Sequence, residues 1–579
     1  VERIEVMAYD IKITGGRIID GTGAPARSGD VGIADGRIVA LGSAPDAAAR
    51  TVAADGLVVA PGFVDIHTHY DAQVMWDPMM TISPWHGVTS VVVGSCGFGV
   101  APTRPEHRRV ILRILERVEA MSLAALEAGL GEVWPFETFP EYLDAIERRG
   151  TAINIGVMSG HTPVRLHVMG EAAVERAATP DEVARMQALV GEAMRAGALG
   201  FATSTSPIHV GYAGKPVPSR LAAEDELLAM ATALSGSSHG VFHYNGSREP
   251  AFALHEALHR RSGKPLVWTP LLSGQLGPGG HRKSLLRAAE DARDGLAIVP
   301  QVACRPIVSE WNFATPVILD TWALFEPVRR ADGEAAVAAI YADPAFRAAF
   351  RDEVAGRGGR DAAFSGGRLE GESRRRSFTL TEISFCPAHP ELEGRRLFHV
   401  ALERGIHACD FALDLALESG LKARFRTPIV NFDEAEVEEL VTDPHVVIGL
   451  GDGGAHMSQL CDACYTTHLL GHWVREKKAL SLEAGVHLIT GRTAALYGLA
   501  DRGRLAVGAP ADIVLFDADR IGAGPLHRIH DLPAGADRLV SMPSGIASVF
   551  CNGVELPPPD AAWPAGRKLP GRLLRGGVV

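Results

Sequence analysis

Three scarcities set the first limits on this chain of 579 residues. It has seven cysteines, no excess of basic charge, and no apolar run of the ~18 residues that a bilayer span needs. The cysteines (Cys96, Cys304, Cys386, Cys409, Cys461, Cys464 and Cys551) are scattered, which excludes a disulfide framework and favours a reducing cytoplasm. Lysine and arginine total 57 against 69 acidic residues, a net charge of -12, where a nucleic-acid binder would carry the opposite balance. A local cationic pocket for a small substrate is still compatible with that charge. Residues Val1 to Val6 contain no signal-peptide apolar core, and Met7 reads as a natural start. The expectation is a cytoplasmic protein with a small-molecule substrate and neither nucleic acid nor membrane as partner. A homo-oligomer is compatible with it.

The ends of the chain are rich in short strands. Val31-Gly32-Ile33 and Arg37 to Leu41 flank Ala34-Asp35-Gly36, and Val549-Phe550 meets Val554 across Cys551-Asn552-Gly553, both hairpin signals. Between the ends, strands alternate with helices. Val88 to Gly94, Ala152 to Met158, Gly200 to Thr203, Gly240 to Tyr244, Pro265 to Leu271, Ala297 to Cys304 and Val446 to Leu450 read as strands. Glu106 to Ala128 reads as one amphipathic helix, and Pro180 to Ala196 as a helix capped by Thr179. Repeated βα units predict an α/β fold: a (β/α)8 TIM-like barrel over 62–499 with a small β-sandwich domain built from both termini, 1–61 and 500–579. Residues 305–395 break the rhythm, with an Arg/Gly/Ser-rich run from Arg351 to Ser377, and read as an insertion or a solvated excursion. Leu556 to Val579 is Pro/Gly-rich and reads as an extended tail.

The chemistry concentrates at predicted strand ends. In Gly62-Phe63-Val64-Asp65-Ile66-His67-Thr68-His69, alternation sends Asp65, His67 and His69 to one side, and two such imidazoles can grip one divalent cation. Cys96 ends the next strand among glycines. It is either a thiolate ligand or a small buried hydrophobe. Asp452, in the turn after the last strand, can touch the metal and shuttle a proton between water and a leaving amine. His243 ends another strand and is a further candidate ligand. His161 could polarise a substrate carbonyl or be structural. Arg165 or Arg248 could fork a substrate carboxylate or form a structural ion pair. Cys461-Asp462-Ala463-Cys464 is a lone CxxC, and Gly94, Gly97 and Gly99 lack the spacing of a dinucleotide fingerprint.

Taken together, Pro61 to Asp71, His86-Gly87-Val88-Thr89, Gly94 to Pro102, Gly160-His161 with Arg165, Val168-Met169-Gly170, Gly197 to Gly200, Asp452-Gly453, Asp501-Arg502-Gly503 and Ala511-Asp512 resemble the N-acyl-D-amino-acid deacylases of the metal-dependent amidohydrolase superfamily. The resemblance implies a barrel with a small β-domain and one or two zinc ions. Cys96 and two later histidines would hold the tight zinc. His67, His69 and Asp452 would form the weaker site, with Asp452 as general base and then acid. His243 stands for the first later histidine. The second is missing: Pro270 occupies its slot in Pro265 to Ser273, which marks a divergent branch.

The reading that follows is a zinc-dependent hydrolase of the amide bond of N-acyl-D-amino acids or related small amides, its D preference resting on the resemblance alone. The altered ligand slot keeps two others open. One is hydrolysis of a different amide, carbamate or lactam. The other is a metal-poor homologue that binds a small ligand without turnover.

Overall fold

The computed structural model describes residues 8–577 except 248, 317, 320–321 and 356–377. Met7, Arg248 and most of the Arg/Gly/Ser-rich run lie outside the described residues.

Parallel strands form two arcs. The first holds β1 (Phe63–Asp65), β2 (Val88–Val93) and β3 (Asn154–Val157), with Val64 opposite Ser90 and Val91 opposite Ile155. After Met158 the chain of β3 continues as Ser159–Gly160 and opens the second arc. That arc runs through β4 (Gly200–Ser204), β5 (Val241–Asn245), β6 (Leu266–Leu271), β7 (Ile298–Val302) and β8 (Val447–Ile448). The arcs meet where Met158 donates to the Val93 carbonyl at 3.0 Å and Leu199 to Val157 at 2.8 Å. At the far edges, Asp452 donates to the His67 carbonyl at 3.0 Å and His69 to that of Gly453 at 2.7 Å. Val64, Val92, Ala202, Val241, Val267 and Val447, from six of these strands, pack into one buried cluster. Such strands are covered on both faces, which is why they appear in the sequence as unbroken aliphatic runs.

Helices lie between the strands. Pro180–Ala196 starts at the expected Thr179, whose hydroxyl accepts from the Glu182 amide while the Glu182 carboxylate returns to the Thr179 amide. The expected long helix after β2 is two helices. α1 (Arg108–Glu119) stops at Ala120, which is left-handed at φ 48°, and α2 (Leu123–Leu130) restarts on Ser122, whose hydroxyl caps Ala125 at 3.2 Å. A serine in apolar-periodic sequence can end one helix and begin another, and the periodicity carries across the break.

Both ends of the chain join one eight-stranded sheet, in which Val58–Pro61 pairs antiparallel with Ile513–Phe516. Asp35 and Gly36 both take positive φ in their two-residue turn, as do Asn552 and Gly553 in theirs. The interruption of the βα rhythm begins at Ile307–Asn312 and reaches Val430. Its return strand, Arg424–Val430, is the middle of a three-stranded sheet and pairs with both Ile307–Asn312 and Glu382–Phe385. This excursion has its own core around Trp311, Phe313, Phe350 and Phe425. Within the tail, Leu573–Leu574 adds to β3, with Leu573 opposite Ile155.

Candidate metal centre

β1 is wholly buried and delivers His67 and His69 at its carboxyl end. Asp65 Oδ1 accepts the His67 amide at 3.1 Å, fixing the start of the turn. Its Oδ2 has no partner and faces Gly451, where a Cβ would lie 2.1 Å away. The two backbone hydrogen bonds between residues 67–69 and 452–453 bring the late aspartate to the histidine pair. Asp452 Oδ1 lies 3.3 Å from His67 Nε2 and 3.6 Å from His69 Nε2. Cys96 Sγ lies 3.5 Å from His67 Nε2. One ligand atom each from His67, His69 and Cys96 falls within 4.8 Å of the others. Cys96 and Asp452 both occupy the left-handed region, at φ 56° and 44°. Non-glycine residues are rarely held there without compensation, and such positions cluster at functional sites.

The side chains carry opposing charges in a buried space. Burial lowers the basicity of His67, but neighbouring Cys96 and Asp452 outweigh it and raise its pKa to about 9. Burial raises the Cys96 thiol, yet contacts with His67 and His69 bring it down to about 7. Against its own burial, Asp452 is held well below the carboxylate range by His67 and His69. Burial, with a smaller push from Asp452, raises Asp65 to about 7 against the pull of His67 and His69. Protons therefore hold together a thiolate, a carboxylate and two imidazoles that a single cation would neutralise.

Other polar side chains enclose this group. His67 Nδ1 is 2.7 Å from Gln301 Oε1, and Asn245 Nδ2 donates to Cys96 Sγ at 3.1 Å. The His243 ring centre is 5.2 Å from that of His67. His243 is completely buried, and neither of its nitrogens has a hydrogen-bond partner. Asn245 Oδ1 and Thr269 Oγ1, opposite one another on β5 and β6, are also buried and unpartnered. Pro270 follows Thr269 and offers no donor atom, so the second later histidine has no counterpart on β6. Buried orphaned nitrogens and oxygens are costly without a partner. The available donors are one thiolate, several imidazoles and a carboxylate, a set that suits zinc. The residues present therefore fit that metal.

His161 and Arg165 do not join this group. His161 Nδ1 contacts Thr203 Oγ1 and its Nε2 contacts Glu226 Oε1, each at 2.8 Å. Arg165 engages both Glu226 oxygens through Nη1 and donates from Nη2 to the Arg176 carbonyl at 3.1 Å. Arg165 and His161 are 0% exposed and Glu226 1%. Glu226, brought in by the helix Glu224–Ser235, thus engages both side chains, the arrangement that the structural alternative for each describes. The CxxC pair sits elsewhere. Arg305 Nη1 lies 2.5 Å from Cys464 Sγ, and among the described residues no third His, Cys, Asp or Glu completes a metal cluster there.

The sequence reading missed Glu119, Gln301, Asn245 and Thr269. Asn245 closes β5 two residues after His243, and Gln301 is next to last in β7, so position along these strands was the available signal. Glu119 had none, because it lies in a segment read as unbroken helix. A cleft of about 640 Å3, with Arg113, Arg117, Tyr212 and Gln459 on its walls, approaches the centre. Met121 lines both this cleft and a small inner pocket bounded by His69, Glu119 and Phe98.

The amidohydrolase family profile Amidohydro_3 matches residues 50–533. The D-aminoacylase of Alcaligenes xylosoxydans xylosoxydans is 30% identical over 551 residues, 94% of each chain. The N-acyl-D-glutamate deacylase of the same organism is 31% identical over 576 residues, 98% of this chain and 96% of the relative. Among solved structures, the N-acyl-D-glutamate deacylase of Bordetella bronchiseptica superposes with a TM-score of 0.64 at 26% identity, covering 98% of this chain and 100% of that one. That enzyme was crystallised with zinc and a phosphonate inhibitor that mimics the tetrahedral intermediate of its reaction. The α/β architecture is that of the TIM-barrel type of amidohydrolase. The chain belongs to the amidohydrolase family, among the N-acyl-D-amino-acid deacylases.

Proposed function

We propose that the chain is a zinc-dependent hydrolase of the amide bond of N-acyl-D-amino acids or related small amides. The observation that carries this reading is the convergence of His67, His69 and Cys96 beside Asp452, in a chain 30% identical to a D-aminoacylase along almost its whole length. His67, His69, Cys96, His243 and Asp452 would hold one or two zinc ions. Zinc bound there supplies Lewis acidity toward the amide carbonyl and makes water a nucleophile near neutral pH. Asp452 supplies the proton traffic. Its carboxylate takes a proton from the attacking water and returns it to the amine nitrogen as the C–N bond breaks. Its depressed pKa keeps it ionised, and its side chain, 14% exposed, is more open than those of His67 and His69. The backbone contacts between residues 67–69 and 452–453 support a closed (β/α)8 barrel with this centre at its mouth. The sheet shared by both ends of the chain supports a small β-domain beside it. Seven cysteines without a disulfide support a cytoplasmic setting.

Two observations favour the second reading, a different amide, carbamate or lactam. Arg165 is committed to Glu226, and Pro270 stands where a ligand histidine was expected. An assay of N-acyl-D- and N-acyl-L-amino acids, anilides, carbamates and lactams on zinc-loaded protein separates the two. The account predicts hydrolysis of at least one N-acyl-D-amino acid with little turnover of its L enantiomer. Activity confined to a lactam or carbamate would select the second reading.

Zinc affinity carries its own pH dependence. Binding requires Cys96 as thiolate and His67 neutral, and their pKa values without metal are about 7 and about 9. Between pH 7 and 9 each zinc bound displaces the His67 proton and, because Glu119 holds His69 well above its ordinary value against its burial, the His69 proton as well, so affinity should rise by at least about tenfold per pH unit. Below pH 7 the Cys96 proton must leave as well, and the slope should steepen. Chelator competition at pH 6, 7 and 8 measures it, and a flat profile would contradict ligation by these two residues.

A further inference from the structure

We infer that Glu119 is a positioning residue for the metal centre: it holds the Nδ1 side of His69 so that Nε2 faces the cation. The inference rests on the reading of His69 as a ligand.

The apolar stripe of α1 places Glu119 where it is. Ile111, Leu112, Ile114 and Leu115 are buried, and Glu119, four residues after Leu115, continues the same face. The helix stops immediately afterwards at left-handed Ala120, so the carboxylate is the last side chain that this face carries inward. Glu119 is 3% exposed. Its Oε1 lies 3.2 Å from His69 Nδ1. The contact has ion-pair distance without hydrogen-bond alignment, and neither Glu119 oxygen nor His69 Nδ1 has a hydrogen-bond partner. Two buried polar groups thus face each other with nothing else to satisfy them. A carboxylate left this way is costly to bury, and the cost is relieved when Nδ1–H donates to it. Hydrogen bonds of this kind are often misaligned before a site is filled and tighten once it is.

The consequence falls on Nε2, which lies 3.6 Å from Asp452 Oδ1. A proton kept on Nδ1 leaves the Nε2 lone pair free for a cation, and an anionic acceptor behind the ring strengthens that donor. His67 is held in the same sense by Gln301 at 2.7 Å, but by a neutral amide. His69 therefore has the charged support. The main chain of Glu119 ties in the other half of the centre: its carbonyl accepts from the Met457 amide at 3.3 Å, five residues after Asp452.

The test is zinc affinity by chelator competition on the full chain, for wild type, Glu119→Gln, Glu119→Leu, His69→Ala and the double variant Glu119→Gln/His69→Ala. Melting temperature is followed in parallel. Loss of such an outer partner costs about 10- to 100-fold in affinity. The expectation is about 10-fold for Glu119→Gln, which keeps an acceptor oxygen but loses the charge, and more for Glu119→Leu. The double variant should bind no more weakly than His69→Ala, because without His69 the carboxylate has nothing to position. If His69→Ala weakens zinc and Glu119→Gln does not, the inference is overturned while the ligand reading stands. If the Glu119→Gln effect persists undiminished in the His69→Ala background, Glu119 acts other than through His69, and the inference again fails. If His69→Ala leaves affinity unchanged, the ligand reading falls and takes this inference with it. Should Glu119→Leu not fold, the isosteric Glu119→Gln decides alone.

Discussion

Replacing Asp452 with asparagine is expected to lower kcat/KM by about 10³-fold, within the range assigned to general acid–base catalysis. Asparagine preserves shape and one carbonyl oxygen, so the contact with His67 and His69 survives in part. It cannot take a proton from water or return one to nitrogen. The loss should fall mainly on kcat, with zinc kept at the Cys96 site and occupancy reduced only at the weaker site that Asp452 would share. A D452N protein with full zinc and undiminished kcat would remove Asp452 from the proton path. One that loses all zinc would make its role ligation.

The second large effect concerns stability. Glu226→Leu should destabilise the fold by about 3–5 kcal/mol, because it leaves the fully buried Arg165 guanidinium without its anion. Arg165→Met leaves Glu226 with His161 alone and should cost less. The double variant should recover part of the Glu226→Leu loss, since replacing both members of a buried pair with apolar groups is often close to neutral. The contribution is pH dependent with a definite sign. Burial acts to raise the Glu226 pKa, but His161 and Arg165 hold it below its ordinary value. Its stabilising effect is therefore present above the ordinary carboxylate pKa and disappears as pH falls through the depressed one. Denaturant midpoints measure all three variants. KM for Arg165→Met at a temperature where it is folded should change little. A stable Arg165→Met protein with KM raised a hundredfold would return Arg165 to the substrate.

The contrast between these predictions marks what was legible in the sequence. His67, His69, Cys96 and Asp452 could be read because each follows within a few residues of a buried aliphatic strand, and parallel strands expose their carboxyl ends at one mouth. For Arg165 and His161, which also follow a strand, the sequence left a substrate role and a structural one open. Their partner Glu226 is 61 residues after Arg165, and nothing local announces the pair. Glu119 was hidden by a helix whose periodicity runs on past its end at Ala120. The pairing within the excursion was not legible for a similar reason. Arg424–Val430 completes its sheet with Ile307–Asn312 across more than a hundred residues, and strand pairing at that separation leaves no mark on either segment. Capping and turn chemistry, by contrast, act over a few residues. Thr179 with Glu182, and Asn552 with Gly553, could be read directly.

The central claim is that a zinc ion sits between the two imidazoles of β1 and the Cys96 thiolate, facing Asp452. An anomalous-difference map at the zinc edge, from crystals of the zinc-loaded protein, tests it most directly. The account predicts a peak about 2.0–2.1 Å from a nitrogen of His67 or His69 and, for the Cys96 site, about 2.3 Å from Sγ. The same map would show whether His243, Asn245 or Thr269 fills the place that Pro270 leaves empty. A map with no peak among these residues, or with its only peak beside Cys461 and Cys464, would contradict the account.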